Sequence, residues 1–307
     1  MPDIKVENSA EPVTTRVGLF GTGPWARAAH GPALAAHPGV ELVGVWGRRA
    51  EAAAEVASLF GARPYTDADA LIADVDAVAI ALPPSVQAPL AARAARAGRH
   101  LLLDKPLAAT VGEAREVAEA VQAAGVASVV FFTVRFDAGP AQWIERQAAV
   151  GDWYTGRADW YGSLFGGGDP SPFADSPWRK EKGGLWDVGP HALSVLLPVL
   201  GDVTEVAAVS GPRDTVHLTL RHDSGASSTA VLTLAAPPAA AGVAVELRGE
   251  HGVAVYPDDI SGPATDAFGR AIDALLTAAR TGEPHACDAR FGLRVTEILA
   301  AAESLLP

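Results

Sequence analysis

The chain has almost none of the residues that build disulfide-rich or cysteine-ligated metal domains. Cys287 is the single cysteine among 307 residues, so a disulfide within the chain and a multi-cysteine zinc site are both excluded. We therefore predict no bound metal. A chain that does without disulfides suits a reducing compartment, and we expect a cytoplasmic protein.

Basic residues and long apolar runs are also scarce. Lys and Arg number 24 against 36 Asp and Glu, a net charge of −12, whereas nucleic-acid binding depends on cations that neutralise phosphates. The apolar runs 77–82 and 192–200 are far shorter than the ~20 residues of a membrane-spanning helix. Residues 1–15 carry acidic residues and no apolar segment, so we predict a flexible leader there and not a signal peptide. We expect neither a nucleic-acid nor a membrane partner.

The first half of the chain alternates short apolar runs with alanine-rich stretches, as in a doubly wound α/β domain. We predict this Rossmann domain, a parallel sheet with helices on both faces, over residues 16–134. The predicted strands are 16–21, 40–46, 76–82, 100–103 and 127–132. The predicted helices are 26–36, 49–60, 85–97 and 111–124.

The pattern changes after residue 135. Residues 151–185 are rich in Gly, Pro, Trp and Asp and are predicted to form substrate-lining loops. Turn-separated strands and three helices then predict an α+β domain over 135–307, with an open, largely antiparallel sheet. The predicted strands are 215–221, 227–234, 243–248 and 253–256, and the helices are 191–200, 266–280 and 290–305. The final helix is expected to pack back on the first domain.

A glycine-rich turn follows the first predicted strand. Residues 21–26 have the form G-x-G-x-x-A between a strand and a helix, which is a variant of the dinucleotide-binding fingerprint. Its first glycine allows the tight turn, its second lets the backbone approach a pyrophosphate, and the helix N-terminus supplies amides and a positive dipole. We predict a dinucleotide cofactor here.

The end of the second predicted strand bears on the choice of cofactor. The acidic residue that binds the ribose hydroxyls of NAD is missing, and Gly47 is followed by Arg48 and Arg49. Guanidinium groups pair well with phosphate, so we predict NADP(H), with NAD(H) as the alternative. The other interpretation is that both arginines only form the polar first turn of the next helix.

Further along the chain, three residues have side chains that could form a catalytic set. Lys105 follows a predicted buried strand and precedes a proline, and ligands bind at such strand ends. Asp187 and His191 are four residues apart and would share one face of a helix, after glycines that allow a ligand to approach the backbone. An N-cap aspartate and a packed core histidine are the alternative interpretations.

Taken together, these motifs resemble the glucose–fructose oxidoreductase, inositol dehydrogenase and MocA (Gfo/Idh/MocA) family. The resemblance runs from about Arg16 to the end of the chain. Its motifs are the glycine turn, a proline pair, an acidic-Lys-Pro segment, Arg-Phe, Trp-Arg and glycine-preceded Asp-x-x-x-His. Here they stand at residues 21–26, 83–84, 104–106, 135–136, 178–179 and 183–191.

The resemblance implies an oxidoreductase that moves a hydride between nicotinamide and the carbinol or carbonyl carbon of a sugar, cyclitol or sugar derivative. The implied catalytic residues are Lys105, Asp187 and His191, and Arg135 and Trp160 are added to them as substrate-binding residues. Histidine, with an ordinary pKa near 6.5, and lysine are both candidates for the proton carrier. The implied cofactor-binding residues are Gly21, Thr22, Gly23, Pro24, Trp25, Ala26, Gly47, Arg48, Arg49, Leu82, Pro83, Pro84, Gln87, Asp104, Lys105, Arg135, Trp178 and Arg179. The open second sheet is expected to pair with another subunit, as in a homo-oligomer (dimer or tetramer).

The chain departs from the family pattern at two of these positions. Asp104 replaces the usual glutamate, and Gln87 stands where many members have histidine. A cofactor-binding sensor without turnover remains an alternative function, although the presence of Lys105 and His191 favours an enzyme. The aromatic residues between 150 and 190 also leave a non-carbohydrate cyclic substrate open.

Overall fold

The computed structural model describes residues 14–167, 171–257 and 262–307. Most of the predicted leader lies outside these residues, and Thr15 already begins the first strand. Strands and helices alternate through the first half of the chain. Their bounds are β1 (Thr15–Phe20), a π-helical turn (Ala26–His30), α1 (Gly31–Ala36), β2 (Val40–Trp46), α2 (Ala50–Leu59), β3 (Arg63–Tyr65), α3 (Ala68–Ala73), β4 (Ala77–Ile80), α4 (Pro84–Arg96), β5 (His100–Asp104), α5 (Val111–Ala124) and β6 (Ser128–Phe131).

These six strands form one parallel sheet in the order β3-β2-β1-β4-β5-β6. The predicted Rossmann sheet is thus confirmed, and β4 and β6 are buried along their whole length. β3 and α3 were not predicted because three and six residues are too short to show a periodicity. The strand order reverses between β1 and β4, which is where such sheets bind dinucleotides.

The helix predicted over residues 26–36 is interrupted at its start. Its first turn is π-helical, and the N–H of Gly31 donates to the carbonyl of Ala26, five residues back. Pro32 has no N–H with which to continue an α-helical ladder to Ala28. A side chain at Gly31 would collide with the ring of Phe60, 2.2 Å from the Cβ position. The sequence pattern showed helix but not this change of hydrogen bonding.

The second half of the chain contains a second sheet with helices around it. The bounds of its elements are α6 (Thr133–Phe136), α7 (Ala138–Val150), β7 (Trp153–Tyr161), α8 (Pro177–Asp187), α9 (Gly189–Leu200), β8 (Val203–Ser210), β9 (Val216–His222), β10 (Ser227–Thr233), a 3-10 turn (Pro238–Ala240), β11 (Gly242–Gly249), β12 (Gly252–Val255), α10 (Ala264–Thr281) and α11 (Ala289–Glu303).

The second sheet has the order β12-β11-β7-β10-β9-β8, and its pairs are antiparallel except β7 with β10. The predicted mostly antiparallel sheet is confirmed, but the loop predicted over residues 151–185 is wrong. β7 lies at the centre of the sheet, and α8 occupies the end of the same region. Gly156 and Asp159 are poor strand formers, and pairing with β10 and β11 on both sides overrides that preference.

The two halves of the chain are held together by the last two helices. α11 packs against α5 and β6, with Gly292 lying against Leu107 and Val130. α10 packs against β5, β6 and the π-helical turn. Among the described residues, no helix is both long and apolar enough to cross a membrane.

Gly184 in α8 is a point of very close packing between α8 and β10. A Cβ at this position would lie 2.6 Å from the Cα of Thr233. The glycines before Asp187 were predicted to allow a ligand to approach. At Gly184, the structure shows that the neighbour is the backbone of β10.

We predict that Gly184→Ala lowers the free energy of unfolding by about 1–3 kcal/mol, because backbone atoms must move to admit the methyl group. Gly269→Ala in α10 is the matched control, since its Cβ would meet nothing within 4 Å. Alanine is the better helix former, so that control gains up to about 1 kcal/mol. Chemical denaturation measures both variants, and equal stability of Gly184→Ala and the parent protein would contradict the packing argument.

Candidate active site

The glycine turn is built as the fingerprint requires. Gly21 has φ of +134°, and a Cβ there would lie 2.4 Å from the carbonyl oxygen of Ala81. Gly23 has open space at its Cβ position and lines a cavity. The turn therefore presents bare backbone to the cavity, as a pyrophosphate site needs.

The end of β2 lies directly against this turn. A Cβ at Gly47 would lie 2.6 Å from Cγ2 of Thr22, and the N–H of Gly21 donates to the carbonyl of Trp46 at 2.9 Å. Arg48 and Arg49 follow as exposed residues, and Arg49 directly precedes α2. Two exposed arginines therefore follow the strand end that contacts the glycine turn, and neither of them lines the cavity.

A cavity of about 480 Å³ lies at the carboxyl edge of the first sheet, between the glycine turn and α8. Its walls bring together many of the predicted site residues from distant parts of the sequence. The predicted residues that line it are Gly23, Pro24, Trp25, Leu82, Pro83, Pro84, Asp104, Lys105, Trp178, Arg179, Asp187 and His191.

Two cations converge on one carboxylate inside this cavity. Lys105 Nζ donates to the main-chain oxygen of Asp187 at 2.5 Å and to its Oδ1 at 2.9 Å. Arg179 Nε lies 3.2 Å from Oδ2 of the same residue. The guanidinium group also lies over the rings of Trp178 and Phe173. Lys105, which directly follows β5, is thus tied to α8 of the second half.

The ionisation of Asp187 follows from these neighbours. Burial acts to raise the pKa of this carboxyl, but the charges of Lys105 and Arg179 outweigh burial and lower it to about 2. The carboxylate is therefore ionised at neutral pH. It holds the lysine ammonium at a defined point of the cavity wall.

His191 lies in the first turn of α9, whereas Asp187 ends α8. Val188 separates the two helices, and Asp187 and His191 both line the cavity. Trp160, predicted to bind substrate, stacks on the imidazole with 5.3 Å between ring centroids and 16° between planes. Nδ1 of His191 is buried without a hydrogen-bond partner among the described residues.

Burial, followed by the charge of Lys105, lowers the pKa of His191 to about 3. The imidazole is therefore neutral at pH 7. His191 was a candidate for the proton carrier because the ordinary pKa of histidine is near neutral, and this environment lowers that pKa.

Gln87 lies behind the cavity wall and is fully buried. Its Nε2 donates to the carbonyls of Asp104, Pro106 and Leu107, and its Oε1 accepts from the N–H of Asp104. Gln87 was predicted to bind the cofactor, but its buried side chain does not line the cavity. Gln87 instead fixes the backbone on both sides of Lys105.

Arg135 is not part of the cavity wall, although it was predicted to bind both cofactor and substrate. Its Nη1 donates to the main-chain oxygen of Ser194, and its guanidinium lies over the ring of Phe291. The side chain therefore joins α6 to α9 and α11. Thr133, two residues earlier, lines the cavity.

Thr133 and Phe173 line the cavity, although neither was predicted as a site residue. Thr133 follows β6 and could have been found by the strand-end rule that identified Lys105. A second cavity of about 480 Å³ shares Phe173, Arg179 and Asp187 with the first. Ser163 and Ser171 supply hydroxyl groups to it. The two cavities meet at the ionic cluster through these shared residues.

Comparison with known families agrees with this geometry. The sequence model of the oxidoreductase family with an NAD-binding Rossmann fold, Gfo/Idh/MocA, matches residues 15–132. The model of the Gfo/Idh/MocA C-terminal domain matches residues 114–255. The chain belongs to the Gfo/Idh/MocA oxidoreductase family. The predicted resemblance is thereby confirmed.

Curated relatives match part of the chain. A 4-carboxy-2-hydroxymuconate-6-semialdehyde dehydrogenase of Sphingobium is 30% identical over 206 residues, which covers 64% of this chain and 62% of the relative. A dTDP-3,4-didehydro-2,6-dideoxy-alpha-D-glucose 3-reductase of Streptomyces antibioticus is 31% identical over 192 residues, which covers 61% of this chain and 57% of the relative. The matches thus span about three fifths of these relatives.

A solved structure extends the likeness in fold to most of the chain. The WlbA dehydrogenase of Bordetella pertussis, in complex with NADH and UDP-GlcNAcA, superposes with a TM-score of 0.80 at 23% identity. The superposition covers 95% of this chain and 96% of WlbA. At this identity the likeness shows the shared fold.

The lowered pKa of His191 predicts how stability depends on pH. In the unfolded chain this imidazole regains its ordinary pKa near 6.5, so between about pH 6.5 and 3 the unfolded state binds more protons than the folded state. The contribution of His191 to stability is therefore lost as the pH falls through that range.

We expect His191→Asn to show a shallower loss of unfolding free energy between pH 7 and pH 4.5 than the parent protein. Urea denaturation at several pH values measures the two slopes. Between pH 7 and pH 8 the imidazole is largely neutral in both the folded and the unfolded parent protein. In this control range, the free energies of unfolding of the two proteins should change with pH by nearly the same amount. Identical slopes below pH 6.5 would mean that the folded protein protonates His191 as readily as the unfolded chain does.

Proposed function

We propose that this family member is an NAD(P)-dependent oxidoreductase that moves a hydride to or from the carbinol or carbonyl carbon of a sugar, cyclitol or sugar derivative. The observation that carries the proposal is the convergence of Lys105, Asp187 and His191 in one cavity that also contains the glycine turn. Among the proteins compared above, the Streptomyces antibioticus relative is a reductase of a dTDP sugar, and WlbA is a dehydrogenase in complex with UDP-GlcNAcA. A screen of sugars and cyclitols with both nicotinamide cofactors tests the proposal, and no turnover with any of them would count against it.

The residues of the chain divide the work in a simple way. When bound, the nicotinamide cofactor supplies or accepts the hydride at the substrate carbon. Lys105 donates a hydrogen bond to the substrate oxygen and favours negative charge there. Asp187 keeps the lysine in place. The pKa of His191 is lowered to about 3, which makes it a poor proton acceptor, so we assign proton transfer to Lys105 and substrate orientation to His191.

The glycine turn and the arginines after β2 support a preference for NADP(H). The residue directly after β2 is Gly47 and not an acid that would repel a 2′-phosphate, and Arg48 and Arg49 follow it as exposed residues. Nothing else in the cavity distinguishes the two cofactors. NAD(H) remains the alternative.

The remaining parts of the proposal concern the setting of the enzyme. A sensor without turnover has no need of the Lys105–Asp187 geometry, so we favour the enzyme. Exposed apolar residues on both edge strands of the second sheet, Val209 on β8 and Val255 on β12, support the proposed homo-oligomer. We also keep the proposal of a cytoplasmic protein, on the argument from cysteine content.

Lys105→Ala should lower turnover by about 10²–10⁴-fold, the usual effect of losing acid–base assistance. Cofactor affinity should change little, since the lysine acts at the reacting oxygen. Steady-state kinetics and fluorescence titration with NADPH separate the two effects. Lys180→Ala, on an exposed side chain of α8, is the matched control and should keep full turnover. A Lys105→Ala protein with normal turnover would remove this residue from the mechanism.

Arg48→Ala should weaken NADPH binding by about 1–3 kcal/mol and leave NADH binding nearly unchanged, because a charge-assisted contact to the 2′-phosphate is lost. Titration of both cofactors, followed by nicotinamide fluorescence, measures the difference. Arg115→Ala, an exposed arginine on α5, controls for net charge and should weaken neither. Equal losses for NADH and NADPH in Arg48→Ala would argue against a phosphate contact.

A further inference from the structure

His30 is a buried imidazole without any defined partner, next to the proposed cofactor site. It ends the π-helical turn that follows the glycine fingerprint, and its side chain is 0% exposed. π-helical turns of this kind are frequently found at functional sites. Both ring nitrogens lack a hydrogen-bond partner among the described residues. Burying a polar group without a hydrogen bond costs free energy, so a physical reason for the burial of His30 is needed.

Aromatic rings hold His30 in one place. The ring of Phe268 from α10 lies 4.0 Å away between centroids, and those of Trp25 and Phe131 lie at 6.4 Å. The imidazole therefore has little freedom to move toward another partner. A hydrogen bond formed by His30 must go to a group that comes to it.

Asp104 is the group within reach. Its Oδ2 lies 3.6 Å from Nε2 of His30, which is too long for a hydrogen bond. The backbone of Asp104 is fixed by Gln87 through its N–H and its carbonyl. The carboxylate, by contrast, also lines the cavity next to Lys105. If Oδ2 of Asp104 moved by less than about 1 Å toward His30, the distance would become a normal hydrogen-bond length.

We propose that His30 is a positioning residue, whose Nε2–H donates to Asp104 and directs the second carboxylate oxygen toward a hydroxyl group of the bound dinucleotide. The inference rests on the proposed function, since it requires a nicotinamide dinucleotide in the cavity. The proposal explains why the His30 imidazole is buried among aromatic rings and faces a carboxylate on the cavity wall. His30 itself touches neither cofactor nor substrate.

Cofactor affinity tests the proposal without relying on turnover. In His30→Phe the aromatic cage keeps a ring of similar shape and loses only the donor, so the melting temperature should hold or rise. The Kd of both NADPH and NADH should increase by about tenfold, as for one lost hydrogen bond to a charged group. Asp104→Asn should show a similar loss, and the double variant should add little to it because both act through one contact.

His222→Phe is the matched control. His222 is also buried, but Nδ1 bonds the carbonyl of Gly201 and Nε2 bonds the hydroxyl of Ser228 within the second half of the chain. Its replacement should lower the melting temperature and leave the Kd unchanged. An unchanged Kd in His30→Phe, or losses that add fully in the double variant, would overturn the proposal.

A measurement on the unmodified protein covers the case in which a variant does not fold. Nitrogen-15 NMR of labelled histidine should show His30 protonated on Nε2 once NADPH is added. Protonation on Nδ1, or a spectrum that NADPH does not alter, would contradict the proposed hydrogen bond. If the unmodified protein binds neither NADPH nor NADH, the proposed function itself fails, which is a distinct result from binding that is independent of His30.

Discussion

The contact between Lys105 and Asp187 joins the two halves of the molecule at the point where chemistry is expected. Lys105 directly follows the fifth strand of the first sheet, and Asp187 ends a helix that packs on the second sheet. A buried ion pair must offset the loss of hydration of both charges. Here Arg179 adds a second cation to the same carboxylate. Lys105 also lines the cavity, where its ammonium group can donate to an oxygen on which negative charge develops.

The groups around this pair work by holding backbone in place. Gln87 bonds the chain on both sides of Lys105. On the other side, Asp214 accepts hydrogen bonds from the N–H of Gly184 and from the start of the segment after β10. Each support comes from a residue remote in sequence from the one it fixes. Lys105 can then keep its position while the cavity around it admits a ligand.

Part of this arrangement was predictable from residue patterns. The buried strands of the first sheet appear as apolar runs that end in glycine or proline, and parallel strands bring their carboxyl ends to one edge. That rule correctly predicts that Lys105 and the glycine turn lie at the same edge of the sheet. Composition failed to predict β7, because Gly156 and Asp159 favour a loop. A strand that is paired on both sides tolerates these residues. Arg135 also followed a predicted strand, and its side chain turned to Ser194 and Phe291 instead.

The amino-acid sequence by itself determined the family, the strands and helices of the first half apart from β3 and α3, and the identity of the groups that could do chemistry. These properties depend on local pattern and on motifs, which need no knowledge of distant contacts. The tertiary structure alone decided what each group can do. The pKa of His191 is lowered because burial and the charge of Lys105 act on it together. Gln87 serves the backbone, and His30 faces Asp104, since helices and strands from distant parts of the chain enclose them.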